Sequence, residues 1–135
     1  MKLSVFFNKK GAAAVEFALC LPLLLLILFA IMEYGWYFTN QIVLANAVSA
    51  GARAGIRAKE WEGESPFVFA RRAARDAFWI GDIPGIHVDI TEPSQTSPRE
   101  IKVRVTSLEY SSITGFLPDD LIPKFVKAKA VMAFP

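Results

Sequence analysis

The sequence predicts an α+β chain: a long N-terminal helix that spans a membrane, then a short helix and a small antiparallel sheet of about three strands. Three features lead there. Residues Phe17 to Met32 (FALCLPLLLLILFAIM) form an uncharged, strongly apolar run. Small residues recur at every fourth position from Ala47 through Gly51 to Gly55, which aligns them on one helix face. Apolar and polar residues then alternate in later segments with the period of half-buried strands.

The apolar run, extended backwards over Ala12, Ala13, Ala14 and Val15, reaches about 20 residues, enough to cross a bilayer as a helix. Only Glu16 interrupts it. Pro22 is tolerated in a membrane helix because local partners take up the freed backbone group, and a kink is expected there. Lys2, Lys9 and Lys10 precede the run, whereas the first cation after it is Arg53. That asymmetry predicts a cytoplasmic N-terminus with the bulk of the chain outside, and Tyr34, Trp36, Tyr37 and Phe38 suit an aromatic belt at the outer interface. A cleavable secretory signal would need small residues just after the run, where Glu33, Tyr34, Gly35 and Trp36 stand instead. Cys20 lies inside the run, not after it, which argues against a lipoprotein and for a small apolar helix residue.

Beyond the belt, Ile42 to Ala58 is rich in Ala, and a continuous helix from Ala12 to about Ala58 would be roughly 70 Å long. The Ala47, Gly51, Gly55 face admits another backbone closely; packing on the chain's own domain is favoured over pairing with another helix. Glu60 to Glu64, with Gly63, reads as a loop. Ser65 as N-cap and Pro66 as first helical residue then open a helix to about Trp79, with Phe67, Ala70, Ala74 and Phe78 on its apolar face. Arg71, Arg72 and Arg75 read as its solvated face, in preference to a site for an anionic partner. Asp82, Pro84 and Gly85 mark a turn. Ile86, Val88 and Ile90 alternate with His87, Asp89 and Thr91; Ile101, Val103 and Val105 alternate with Lys102, Arg104 and Thr106; and Lys127 to Phe134 makes a third strand. The expected organisation is a basic leader over 1–11, a transmembrane and stalk helix over 12–58, and a small extracytoplasmic α+β domain over 59–135.

Several function classes drop out. A net charge of +2 with scattered basic residues leaves no nucleic-acid footprint. One cysteine and one histidine cannot build a disulfide framework or a Cys/His zinc cluster, and His87 reads as an exposed strand residue. Asp119-Asp120 alone lacks the ligands calcium wants, so no metal and no cofactor are assigned. With no phosphate-binding Gly-rich loop and no nucleophile paired to a base, an enzyme is not expected.

One segment joins the leader to the helix: Lys9-Lys10-Gly11-Ala12-Ala13-Ala14-Val15-Glu16-Phe17. It resembles a prepilin leader and processing site. The longer stretch GAAAVEFALCLPLLLLILFAIMEYG is similar to the opening of TadE-like pseudopilins of tight-adherence (Flp, type IVb) pili. The resemblance implies a minor pilin of the bacterial inner membrane, with a pilin-like stalk. It further implies that a membrane-embedded aspartic prepilin peptidase cuts between Gly11 and Ala12, with Lys9 and Lys10 holding that bond at the cytoplasmic face. On this reading Glu16, fifth residue of the mature chain and followed by Phe17, pairs with the terminal ammonium of a neighbouring pilin and sets register during assembly for adhesion or secretion. Partners would be the membrane, the peptidase, other pilins or pseudopilins and the assembly machinery. Residue chemistry supports this: glycine lets an extended backbone enter a protease cleft, and an unpaired carboxylate in hydrocarbon costs several kcal/mol. The plainer alternatives are that Glu16 snorkels to the headgroups, and that the chain is an uncleaved bitopic subunit of another envelope complex. The loop SSITGFLPDDLIPKF carries more apolar residues than a solvated loop needs; it reads either as cover for the sheet edge or as a contact surface for another pilin.

Overall fold

The computed structural model describes residues 9–58, 62–94, 98–118 and 120–134. Leader residues 1–8 with Lys2, residues 60 and 61 of the expected loop, and Asp119 lie outside these. Helix α1 runs from Lys9 to Arg57 as 49 residues without interruption at Pro22, roughly 73 Å of helix. It begins three residues earlier than expected and ends where the small-residue segment ends. Helix α2 spans Pro66–Ala77, and strands β1 (His87–Thr91), β2 (Glu100–Glu109) and β3 (Phe125–Ala133) form one antiparallel sheet in the order β1-β2-β3.

One helix serves two environments. Over residues 11–20 every side chain is exposed, and the large apolar residues from Val15 to Met32 stay largely uncovered by protein. This part of α1 is long and apolar enough to cross a membrane. From Leu44 onward the same helix turns into a core element, with Leu44, Ala47, Val48 and Ala52 buried against α2 and the sheet. The small-residue face is the reason the two helices approach so closely. A Cβ added at Gly51 would lie 2.7 Å from the Ala70 carbonyl oxygen and 3.0 Å from the Ala74 Cβ. At Gly55 it would meet Ile101, with the Ala70 Cβ and the Pro66 carbonyl oxygen each 3.3 Å away. The face therefore packs on the chain's own domain.

Helix α2 is shorter than its pattern suggested. It ends at Ala77, so Phe78 caps it from a non-helical position and still enters the core, while Trp79 falls in the following turn and is exposed. Phe67, expected on the buried face, is exposed as well. The close seam against α1 admits only the small Ala70 and Ala74, which leaves no depth for a phenyl ring one turn earlier. Ser65 occupies the N-cap position without a side-chain capping bond. Arg71, Arg72 and Arg75 are exposed, and the Arg72–Asp76 pair at 3.8 Å is a solvated contact of little energetic weight.

The sheet lays one face on the helices. Val88, Val103 and Ala130 stand in one cross-strand row and Ile90, Ile101 and Met132 in the next. His87, Arg104 and Lys129 share a row on the exposed face. Strand β2 continues three residues beyond Thr106 because of a bulge: Val105 pairs with Ala128, but Leu108 pairs with Val126. The extra residue reverses the alternation, so Val105 and Leu108 both face the core although they are an odd number apart.

The seam makes a direct prediction. Gly51→Val forces α2 backbone away from α1 and is expected to destabilise the folded part by roughly 1–3 kcal/mol. Gly35→Ala, at a helical position with nothing within 4 Å, is expected to be neutral or stabilising by up to about 1 kcal/mol. Thermal unfolding of the two variants in detergent micelles separates the outcomes; equal melting would show that the seam is not tight.

Candidate functional site

The first turns of α1 hold the residues singled out by sequence. Lys9 and Lys10 begin the helix, and Gly11, Ala12, Glu16 and Phe17 follow on it, all four exposed. A Cβ at Gly11 would meet nothing within 4 Å. The Gly11-Ala12 junction is thus helical, whereas the sequence placed the start of the helix at Ala12. Three alanines and a valine follow it, and with no tertiary contact to oppose them their helix propensity carries α1 back through the glycine. Among the described residues Glu16 makes no ion pair. Its position leaves it available to a partner outside the chain or to the headgroup region.

A second constellation lies where the apolar run ends. Glu33 is only 2% exposed, although it directly follows the uncharged run. Four donors converge on its two oxygens. The Tyr110 hydroxyl donates to Oε1 at 2.6 Å and the Ile113 backbone N–H to the same atom at 3.3 Å. The Thr114 backbone N–H at 3.1 Å and the Thr114 hydroxyl at 2.8 Å both donate to Oε2. The Tyr110 ring is itself held edge-on against Tyr37, with centroids 5.4 Å apart. One residue further along α1, the Tyr34 hydroxyl donates to the Leu121 carbonyl at 2.7 Å. Between these two attachments Phe116 stacks on Phe29, centroids 4.4 Å apart and rings within 7° of parallel. The loop between β2 and β3 is therefore clasped to α1. Gly115, at φ +64°, supplies the left-handed turn between the clasp and the stacked ring.

The electrostatics follow from this geometry. Burial alone would push the Glu33 carboxyl up, but the hydrogen bonds from Tyr110, Thr114 and Ile113 outweigh it and hold the group below the usual carboxylate range. For Tyr110 burial and the neighbouring carboxylate act together and raise the phenol well above its ordinary value. Every contact to the carboxylate comes from a donor, so the ionised form is the one the site is built to hold. Its chemistry is structural: it ties a loop to a helix. Among the described residues no group of three His, Cys, Asp or Glu is placed to hold a metal, and His87 stands exposed on β1.

The aromatic residues after the run are divided in consequence. Tyr34 and Phe38 stay exposed, whereas Trp36 and Tyr37 are half-buried and Tyr37 belongs to the Tyr110 contact. Sequence reading passed over Glu33 because its partners are about 80 residues away, and a carboxylate at a helix exit ordinarily faces water. The apolar excess of the 111–124 loop was the one available signal.

Residues 11–53 match the family of TadE-like proteins. The match covers the apolar part of α1 and most of its packed part. No curated protein and no solved structure matches the chain.

Glu33→Gln places amide hydrogens among donors, so the clasp should weaken by ~1.5–3 kcal/mol. Amide exchange at Ile113 and Thr114 should accelerate by about tenfold or more, read by hydrogen–deuterium exchange in micelles. The pH dependence has a definite sign. Because the folded-state pKa is depressed, the contribution of Glu33 is full above the ordinary carboxylate value and is lost as pH falls through the lowered one. Loop opening, corrected for intrinsic exchange, should rise on acidification in the wild type and stay flat in Glu33→Gln. Identical pH profiles would refute the role given to Glu33.

Proposed function

We propose, from the TadE-like character of residues 11–53, that this chain is a minor pilin or pseudopilin. A prepilin peptidase processes it, and it takes part in assembling a tight-adherence (Flp, type IVb) pilus for adhesion or secretion. The family match carries this reading. It coincides with a helix whose first turns are fully exposed and whose apolar run is largely uncovered by protein, as a subunit awaiting lipid or neighbouring helices requires. In this proposal the basic leader with Lys9 and Lys10 stays in the cytoplasm, α1 crosses the bacterial inner membrane once, and the folded domain lies outside. The peptidase cuts between Gly11 and Ala12. Glu16 then pairs with the new terminal ammonium of a neighbour, with Phe17 beside it, because a carboxylate in hydrocarbon needs either a partner or an escape to water.

The helical junction favours a second reading, an uncleaved bitopic accessory subunit, since a protease must unwind the bond it cuts. Glycine lessens that difficulty: it is about 1 kcal/mol poorer than alanine in a helix, and unwinding at Gly11 disturbs no side-chain contact.

Mass spectrometry of the mature N-terminus, on membranes with and without an active prepilin peptidase, distinguishes the two. The wild-type chain should begin at Ala12 only when the peptidase is present, and Gly11→Leu should leave the precursor intact. A chain that begins at Met1 in both membranes would favour the accessory subunit.

Glu16→Ala should preserve insertion and cleavage, since loss of a charge only makes the helix more apolar. Both Glu16→Ala and Glu16→Gln should lose incorporation into the fibre, because neither provides the negative charge that completes the ion pair with the ammonium. Pilus assembly and crosslinking at equal membrane levels provide the readout; wild-type assembly by both variants would mean that Glu16 only snorkels to water.

A further inference from the structure

The loop joining β2 to β3 does not simply return from one strand to the next. It leaves the folded part at Tyr110, is tied to Glu33 through Ile113 and Thr114, and is tied again to Tyr34 through Leu121. Both ties sit at one level of α1, directly past the apolar run. Between them the chain descends. Phe116 stacks on Phe29, four residues back along the helix and so roughly 6 Å deeper. Pro22, Leu25, Leu26, Phe29, Phe116 and Leu117 together line an open groove of about 300 Å³. Pro22 lies roughly 16 Å along the helix from Glu33, inside the run that reads as membrane-spanning.

The side chains of this loop suit that depth. Ile113 is 58% exposed, Phe116 72% and Leu121 56%, an apolar display that water would penalise. The backbone is also prepared at both ends of the dip. The Ile113 and Thr114 N–H groups are satisfied by Glu33, the Leu121 N–H donates to the Pro118 carbonyl at 2.9 Å, the Leu121 carbonyl accepts from Tyr34, and Pro118 has no N–H. Irregular backbone close to hydrocarbon needs such groups to have partners, and those at the two ends of the dip have them, which suits shallow entry at the interface. The exposed Asp120 comes immediately before Leu121, so charge returns as the loop regains the interface.

We propose that residues 113–118 form a wedge that enters the leaflet on the side of the folded domain, with lipid acyl chains occupying the groove between Phe116, Leu117 and α1. The occupant is lipid because the groove's other wall is the membrane-spanning run itself, whose surroundings at that depth are hydrocarbon, and because all six lining residues are apolar. The wedge holds the folded domain at a set height and angle to the membrane. It depends on α1 crossing a bilayer and is independent of leader processing.

The test uses the full-length chain in phosphatidylcholine vesicles. Cys20→Ser removes the native thiol, and single cysteines at Ile113 or Phe116 carry an environment-sensitive fluorophore, with the exposed Thr106 of β2 as the aqueous control. Phosphatidylcholine brominated along its acyl chains should quench positions 113 and 116 severalfold more than position 106, while iodide in the buffer should do the reverse. The Ile113→Cys variant retains the Phe116–Phe29 stack and so reports on the wedge even if Phe116→Cys weakens it. Adding Glu33→Gln should shift both labels towards the aqueous pattern. Labels at 113 and 116 that behave like 106 would overturn the proposal. So would protection from both quenchers that fades on dilution of protein in lipid, which would make a second copy the occupant.

Discussion

The change of solvent along α1, concentrated at Glu33, governs the rest of the molecule. Before this residue the helix leaves most of its apolar side chains uncovered by protein; after it, the same helix contributes Leu44, Ala47, Val48 and Ala52 to a core. A continuous helix satisfies its own backbone in both media, which is why no break is needed at the boundary. What the boundary does need is a way to hold a carboxylate where water thins out. The loop after β2 meets that need with four donors. The contact works in both directions: the loop satisfies Glu33, and Glu33 orders the loop.

The packed end of α1 follows a different logic. Its neighbours approach through backbone and methyl contacts, since Gly51 and Gly55 leave no side chain between α1 and α2. Burying small residues yields little apolar area per residue, so larger ones supply the remainder from the sheet, with Ile101, Val103, Val105 and Leu108 on β2 and Val126 on β3. The bulge in β2 lets this strand keep feeding the core as it runs towards Tyr110 and the clasp. Sheet geometry and the Glu33 site are therefore linked: without the parity change, Leu108 would face outward and the chain would reach Tyr110 on the wrong side.

The N-terminal turns stand apart. Gly11, Ala12, Glu16 and Phe17 touch none of the folded part, and all are exposed on the helix. Whatever they do is done with another molecule. These residues lie within the segment that matches TadE-like proteins.

This division explains how much could be read without coordinates. Hydrophobic length, the four-residue spacing of Ala47, Gly51 and Gly55, and strand alternation are local patterns, and by themselves they pointed to the long helix, a face for close approach and three strands; that the face packs on α2 was decided by the fold. Tertiary structure decided which residues of α2 reach the core: the seam's narrowness excluded Phe67 and retained Phe78 from beyond the helix end. It also decided that β2 outlasts its simple alternation, because a bulge is a relation between two strands. Above all it decided the role of Glu33. A carboxylate beside an apolar run is a liability or a surface charge until partners about 80 residues away are brought to it, and only the folding of β2 and its loop against α1 brings Tyr110, Ile113 and Thr114 within hydrogen-bonding distance.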